Sequence, residues 1–124
     1  MSTKISIVNL RNYDSILDAI EAGITLIADP LPFDIRECKN ILLKPNLLKP
    51  TKDACTQPVF VRAVLEYLKD IEVENDNINV GYSPCQIKSS FKMIAKKIGL
   101  YEVCEEVDVR FINFEQEIPV YTSL

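Results

Sequence analysis

Histidine is absent from this 124-residue chain. Its absence removes Ser–His and Cys–His nucleophile pairs, imidazole metal ligands and the usual general base together. Cysteine occurs at Cys38, Cys55, Cys85 and Cys104, in spacings that form neither a CxxC zinc pattern nor a ferredoxin cluster run. No apolar run approaches the roughly 18 residues of a membrane span. Basic residues are in the minority, 14 Lys and Arg against 18 Asp and Glu, so the footprint needed for general nucleic-acid binding is missing. The first residues alternate like a strand and lack the apolar centre of a signal peptide. A cytoplasmic location is expected from this, with reduced thiols in place of a disulfide framework.

What is present suits one packed domain. Hydrophobic residues make up 48% of the chain and charged residues 26%, enough apolar material for a core without the charge density of a disordered segment. Residues 1–114 read as a single α/β domain. Residues 115–124 show no completed element and read as a tail or as the start of a missing second half.

The most informative stretch is Ile41-Leu42-Leu43-Lys44-Pro45-Asn46. A short continuous apolar run fits a strand buried on both faces of a parallel sheet. Pro45 cannot donate to a ladder and biases Lys44 toward extended backbone, so the strand should stop there. Open α/β sheets bind ligands at the carboxyl ends of their strands, which is where this pattern puts Lys44 and Asn46.

The rest of the chain alternates in the same sense. Strands are predicted over 4–10, 40–44, 78–81 and 109–114. Between the first two, Ile16, Ile20, Ile24 and Ile27 recur at helical spacing, with Gly23 inside the helix and Asn12 as its cap. Thr56 or Gln57 should cap a second helix with Pro58 in its first turn, burying Phe60, Val61, Val64, Leu65 and Leu68. A third helix is expected from about 89 to 98 with Phe91, Ile94, Ala95 and Ile98 inward, stopped by Gly99. Leu100, Val103, Cys104 and Val107 form one more helical set. The expected architecture is a mainly parallel four-stranded sheet flanked by helices, Rossmann-like and incomplete at its C-terminal side.

Several motifs together resemble the domain-of-unknown-function family numbered 362, whose members are associated with iron–sulfur proteins. They are the apolar-Lys-Pro-Asn stretch at 41–48, Ala54-Cys55-Thr56-Gln57-Pro58, the helix start at 59–64, and Val80-Gly81-Tyr82-Ser83-Pro84-Cys85. Three positions depart from the family pattern. Cys55 stands where threonine is frequent, Tyr82 where an acid is usual, and Cys85 where glycine is usual. The resemblance implies a layered α/β fold and one wall of a site. It also implies an iron–sulfur cluster or iron–sulfur partner, although no ferredoxin motif occurs in this chain. The family's activity is not defined, so no reaction follows from it.

Lys44 and Asn46 can orient a small anionic or carbonyl-bearing ligand, the lysine as a point charge and the amide as a hydrogen-bonding group. The plainer alternative is a lysine whose stem packs on the sheet edge while its ammonium reaches water. Thr56 and Ser83 would add hydroxyls from neighbouring loops. Gly81 would allow close backbone approach before a helix N-terminus, against the alternative of an ordinary Ser-Pro turn. Cys55 and Cys85, in loops expected to converge, are candidates for a metal or redox pair, against the commoner role of small buried hydrophobes. Cys38 and Cys104 are expected to be structural. Lys88, Lys92 and Lys96 share one helix face, with Lys97 beside them; an acidic partner would suit them, as would plain solvation. A half-domain completed by a second copy or by a partner chain is a further expectation, because an unpaired sheet edge invites addition.

Overall fold

The computed structural model describes residues 3–27, 34–82 and 91–114. The described residues form a parallel three-stranded sheet flanked by helices. Helix α1 spans Ile16–Ile27, strand β1 Ile41–Leu43, helix α2 Pro58–Asp70 and strand β2 Ile78–Tyr82. Helices α3 (Phe91–Ile98) and α4 (Leu100–Val107) then lead to strand β3, Arg110–Asn113. The strands lie in the order β1-β2-β3, with β2 central.

The register explains which side chains form the core. Ile41 pairs with Ile78 and Leu43 with Val80, and Val80 pairs in turn with Phe111. Paired residues share a face, so these side chains form one apolar row across the sheet. Helix α2 offers Val61, Leu65 and Leu68 to it, α3 offers Ile94, Ala95 and Ile98, and α4 offers Leu100, Val103 and Cys104. These residues make one continuous buried cluster. The side chain of Phe91, predicted to join them, lies outside the described residues. Helix α1 packs on α2, α2 on α4, and α3 on α4, a connected helical layer over that row. On the opposite row Leu42 remains 47% exposed.

Local chemistry sets the boundaries. Pro58 opens α2, where its missing N–H costs nothing. Gly99 adopts φ +89°, the left-handed conformation that stops α3 and starts α4. Both features follow the sequence reading.

Among the described residues the first predicted strand is not seen. Residues 3–10 join no β-ladder there. The reason is visible in how the segment packs. Ser6 and Val8 lie within 3.4 and 3.5 Å of where a Cβ on Gly23 of α1 would sit, whereas Ile5 and Ile7 are 82% and 89% exposed. The apolar Ile5 and Ile7 therefore gain neither a ladder nor burial from their alternation. The sheet accordingly has three strands among the described residues where four were expected.

Candidate functional site

Strand β1 ends as Pro45 predicts, and the chain folds into a closed loop. The backbone N–H of Asn46 donates to the Thr56 hydroxyl oxygen at 2.9 Å, and the N–H of Thr56 donates back to the Asn46 carbonyl at 2.8 Å. Leu47 and Cys55 form an isolated antiparallel bridge just inside this neck, and the Leu48 N–H reaches the Ala54 carbonyl at 3.3 Å. Leu47 is wholly buried and Pro45 is buried beside it, so two apolar side chains anchor the loop to the core. The Cys55 thiol donates to the Lys49 carbonyl at 2.9 Å and helps close the far end.

This loop holds Lys44 against the end of the central strand. The Lys44 ammonium sits over the ring of Tyr82, 5.0 Å from its centroid. A cation this close to an aromatic face is attracted by the ring quadrupole. The loop after β1 and the carboxyl end of β2 therefore share one rim of the sheet. A hollow of about 260 Å³ opens there, lined by Lys44, Thr56, Leu42, Leu43, Phe60 and Val64 among others. Its polar side chains are those of Lys44 and Thr56. Thr56 accepts from Asn46 through its oxygen, which leaves its own O–H proton free to donate outward.

The predicted site residues are thus distributed unequally. Lys44 and Thr56 line the same hollow. Asn46 is exposed and contributes its backbone to the loop neck, and its side chain does not line the hollow. Thr56 does not cap α2; Gln57 occupies that position and makes no side-chain capping bond. Ser83 and Cys85 lie outside the described residues, as do Lys88 and the start predicted for α3 at 89. Phe60 and Val64 line the hollow although sequence patterning gave them packing roles, and Tyr82 meets Lys44 without lining it. Phe60 and Val64 carry the helical periodicity of core residues, which conceals their place at its rim.

Gly81 has a different use from the one expected. A Cβ there would lie 2.6 Å from Phe114 Cε1 and 3.1 Å from the Ile112 carbonyl, so the missing side chain makes room for the chain's own Phe114 ring. Cys104 is buried, and burial pushes its thiol up from 9.0 to about 11, consistent with a packing role. Cys38 is half-buried and donates to the Asp34 carbonyl at 3.7 Å. At Asp34 itself, the Arg36 side chain, then the Arg36 backbone N–H, hold the carboxyl below its usual range. Lys92 and Lys96 both rest over Tyr101, at 5.0 and 5.1 Å from the ring centroid. Among the described residues, no three His, Cys, Asp or Glu side chains are grouped to hold a metal ion, and no helix is long and apolar enough to cross a membrane.

The family model described as a domain of unknown function (DUF362) matches residues 41–124. The chain belongs to the DUF362 family. The match covers more than half of the chain and starts at the first residue of β1, so it takes in the Lys44 loop, the sheet and the helices α2 to α4. Helix α1 and the N-terminal segment precede it. No curated protein and no solved structure gives a significant match. DUF362 membership therefore supports the α/β domain without assigning it a reaction.

Proposed function

We propose that this DUF362 domain binds a small anionic ligand on the rim formed by the loop after β1 and the end of β2. The observation that supports it is the placement of the Lys44 ammonium over Tyr82, in a hollow that also contains Thr56. The hollow lies at the carboxyl end of β1, on the side of α2, and strand ends of this kind are where α/β sheets bind ligands. Lys44 supplies charge and Thr56 a donor, and the first turn of α2 borders the same space with the positive end of its helix dipole. Ser83, Cys55 and Cys85 are secondary members of the proposed rim, and an iron–sulfur partner is one source of such a ligand.

Thermal melts in rising inorganic phosphate test the proposal, since a ligand that binds only the folded state stabilises it by mass action. Phosphate should raise the midpoint of the wild type and leave Lys44→Ala unmoved. The exposed position of Lys44 predicts that the unliganded variant stays within about 0.5 kcal/mol of wild type. A variant that loses stability heavily while phosphate still shifts its midpoint would overturn the assignment.

A second reading has its own support. Leu42, Ile5 and Ile7 are large apolar side chains left 47%, 82% and 89% exposed. Such a surface suits a half-domain completed by a second copy or a partner chain. Light scattering at high concentration separates the readings, because a clean monomer argues against obligatory self-pairing.

A further inference from the structure

A second hollow adjoins the proposed anion site. Helix α1 leans on α2 beyond the outer edge of β1, and a trough of about 420 Å³ opens between these three elements. Its walls are Ile20 and Ile24 from α1, Ile41 and Leu43 from β1, and Val64 and Leu68 from α2. Cys38, Asn40 and Tyr67 bring the polar atoms, the first two at the amino end of β1. Leu43 and Val64 line both this trough and the Lys44 hollow, so the two spaces are neighbours across these two side chains.

The sum of these features is an apolar trough beside a hollow that holds a lysine and a threonine. Water in the trough would find few of the two to four polar partners that hold ordered water. An apolar chain loses nothing by entering it. The volume falls within the roughly 300–1,000 Å³ of small-molecule sites, which are mainly apolar with a few placed polar groups. Charge complementarity selects the head group, because Lys44 lines the neighbouring hollow. We propose that the anion bound at Lys44 is carried on an aliphatic chain, and that the chain lies in the trough between α1, β1 and α2. This rests on the anion-site reading and gives that ligand a class: an amphipathic carboxylate or similar aliphatic anion.

Calorimetric titration of the wild-type chain with phosphate, acetate, hexanoate, octanoate and decanoate, the last below its micelle concentration, tests it. Affinity should rise about fourfold for each methylene added, the value expected for transfer of a buried CH₂. Lys44→Ala should weaken every carboxylate by a similar factor, and Ile24→Phe or Ile20→Phe should bring decanoate down to the affinity of acetate. Affinity that stays flat with chain length while phosphate still binds through Lys44 would refute the chain and keep the anion site. Absence of binding by all five probes would refute both. A chain-length dependence untouched by both phenylalanine variants would put the chain elsewhere on the surface and overturn the proposal. The wild-type series stands by itself if either variant fails to fold.

Discussion

Residues 3–10 and residues 41–43 carry comparable strand signals and meet different fates. Both are short and rich in apolar residues, yet 41–43 is a ladder strand beside β2 while 3–10 joins no ladder among the described residues. The difference lies in what surrounds each. Ile41 and Leu43 have Ile78 and Val80 as ladder neighbours and α2 above them, so their hydrogen bonds and apolar surface are satisfied together. Residues 3–10 have α1 on one side only, and Ile5 and Ile7 face solvent. Alternating hydrophobicity therefore marks a candidate strand, and a neighbour decides whether it joins a sheet.

The largest expected contrast comes from truncating one side chain in each region. Leu47 anchors the loop after β1 and is fully buried, so Leu47→Ala should cost roughly 2–5 kcal/mol in urea unfolding. Ile7→Ala, at a side chain 89% exposed, should stay within about 0.5 kcal/mol. Equal losses would mean that the N-terminal segment is packed as firmly as the sheet.

Alkaline stability gives the next effect. Burial raises the folded Cys104 thiol from 9.0 to about 11, so the folded chain holds this proton more tightly than the unfolded chain does. Its contribution is complete below pH 9 and is lost as pH rises through about 11, amounting to roughly 2–3 kcal/mol. Cys104→Ala should flatten this part of the unfolding-against-pH curve. Curves of the same slope would show that the thiol does not titrate in the core.

Two of the three glycines refine the comparison further. Gly81→Ala puts a methyl against Phe114 and the Ile112 carbonyl and should destabilise the sheet by about 1–3 kcal/mol. Gly23→Ala meets only ordinary contacts with Ser6 and Val8 and removes a helix-interior glycine, so it should stabilise by about 0.5–1 kcal/mol. A cost at Gly23 would show the N-terminal segment packed more tightly on α1 than its exposed isoleucines indicate.

Much of the site was legible because local chemistry constrains it. Pro45 ends β1 and leaves Lys44 at the strand's carboxyl end, whatever the rest of the fold does. Pro58 and Gly99 likewise mark a helix start and a helix stop by their own backbone restrictions. Less legible were the roles of Thr56 and Gly81. The Thr56 hydroxyl satisfies the Asn46 N–H across the loop, a partner ten residues away that capping rules do not consider. Gly81 is shaped by Phe114, from a strand end distant in sequence.

The amino-acid sequence by itself determined the strand–helix alternation, the residues that break each element, and the presence of a lysine where a parallel strand runs out. Those follow from backbone stereochemistry and side-chain periodicity, which act over a few residues. Tertiary structure alone decided that residues 3–10 join no ladder among the described residues, that Lys44 rests on Tyr82, and that an apolar trough neighbours the Lys44 hollow. Each of these depends on groups far apart in the chain competing for the same space, and no local pattern encodes the winner.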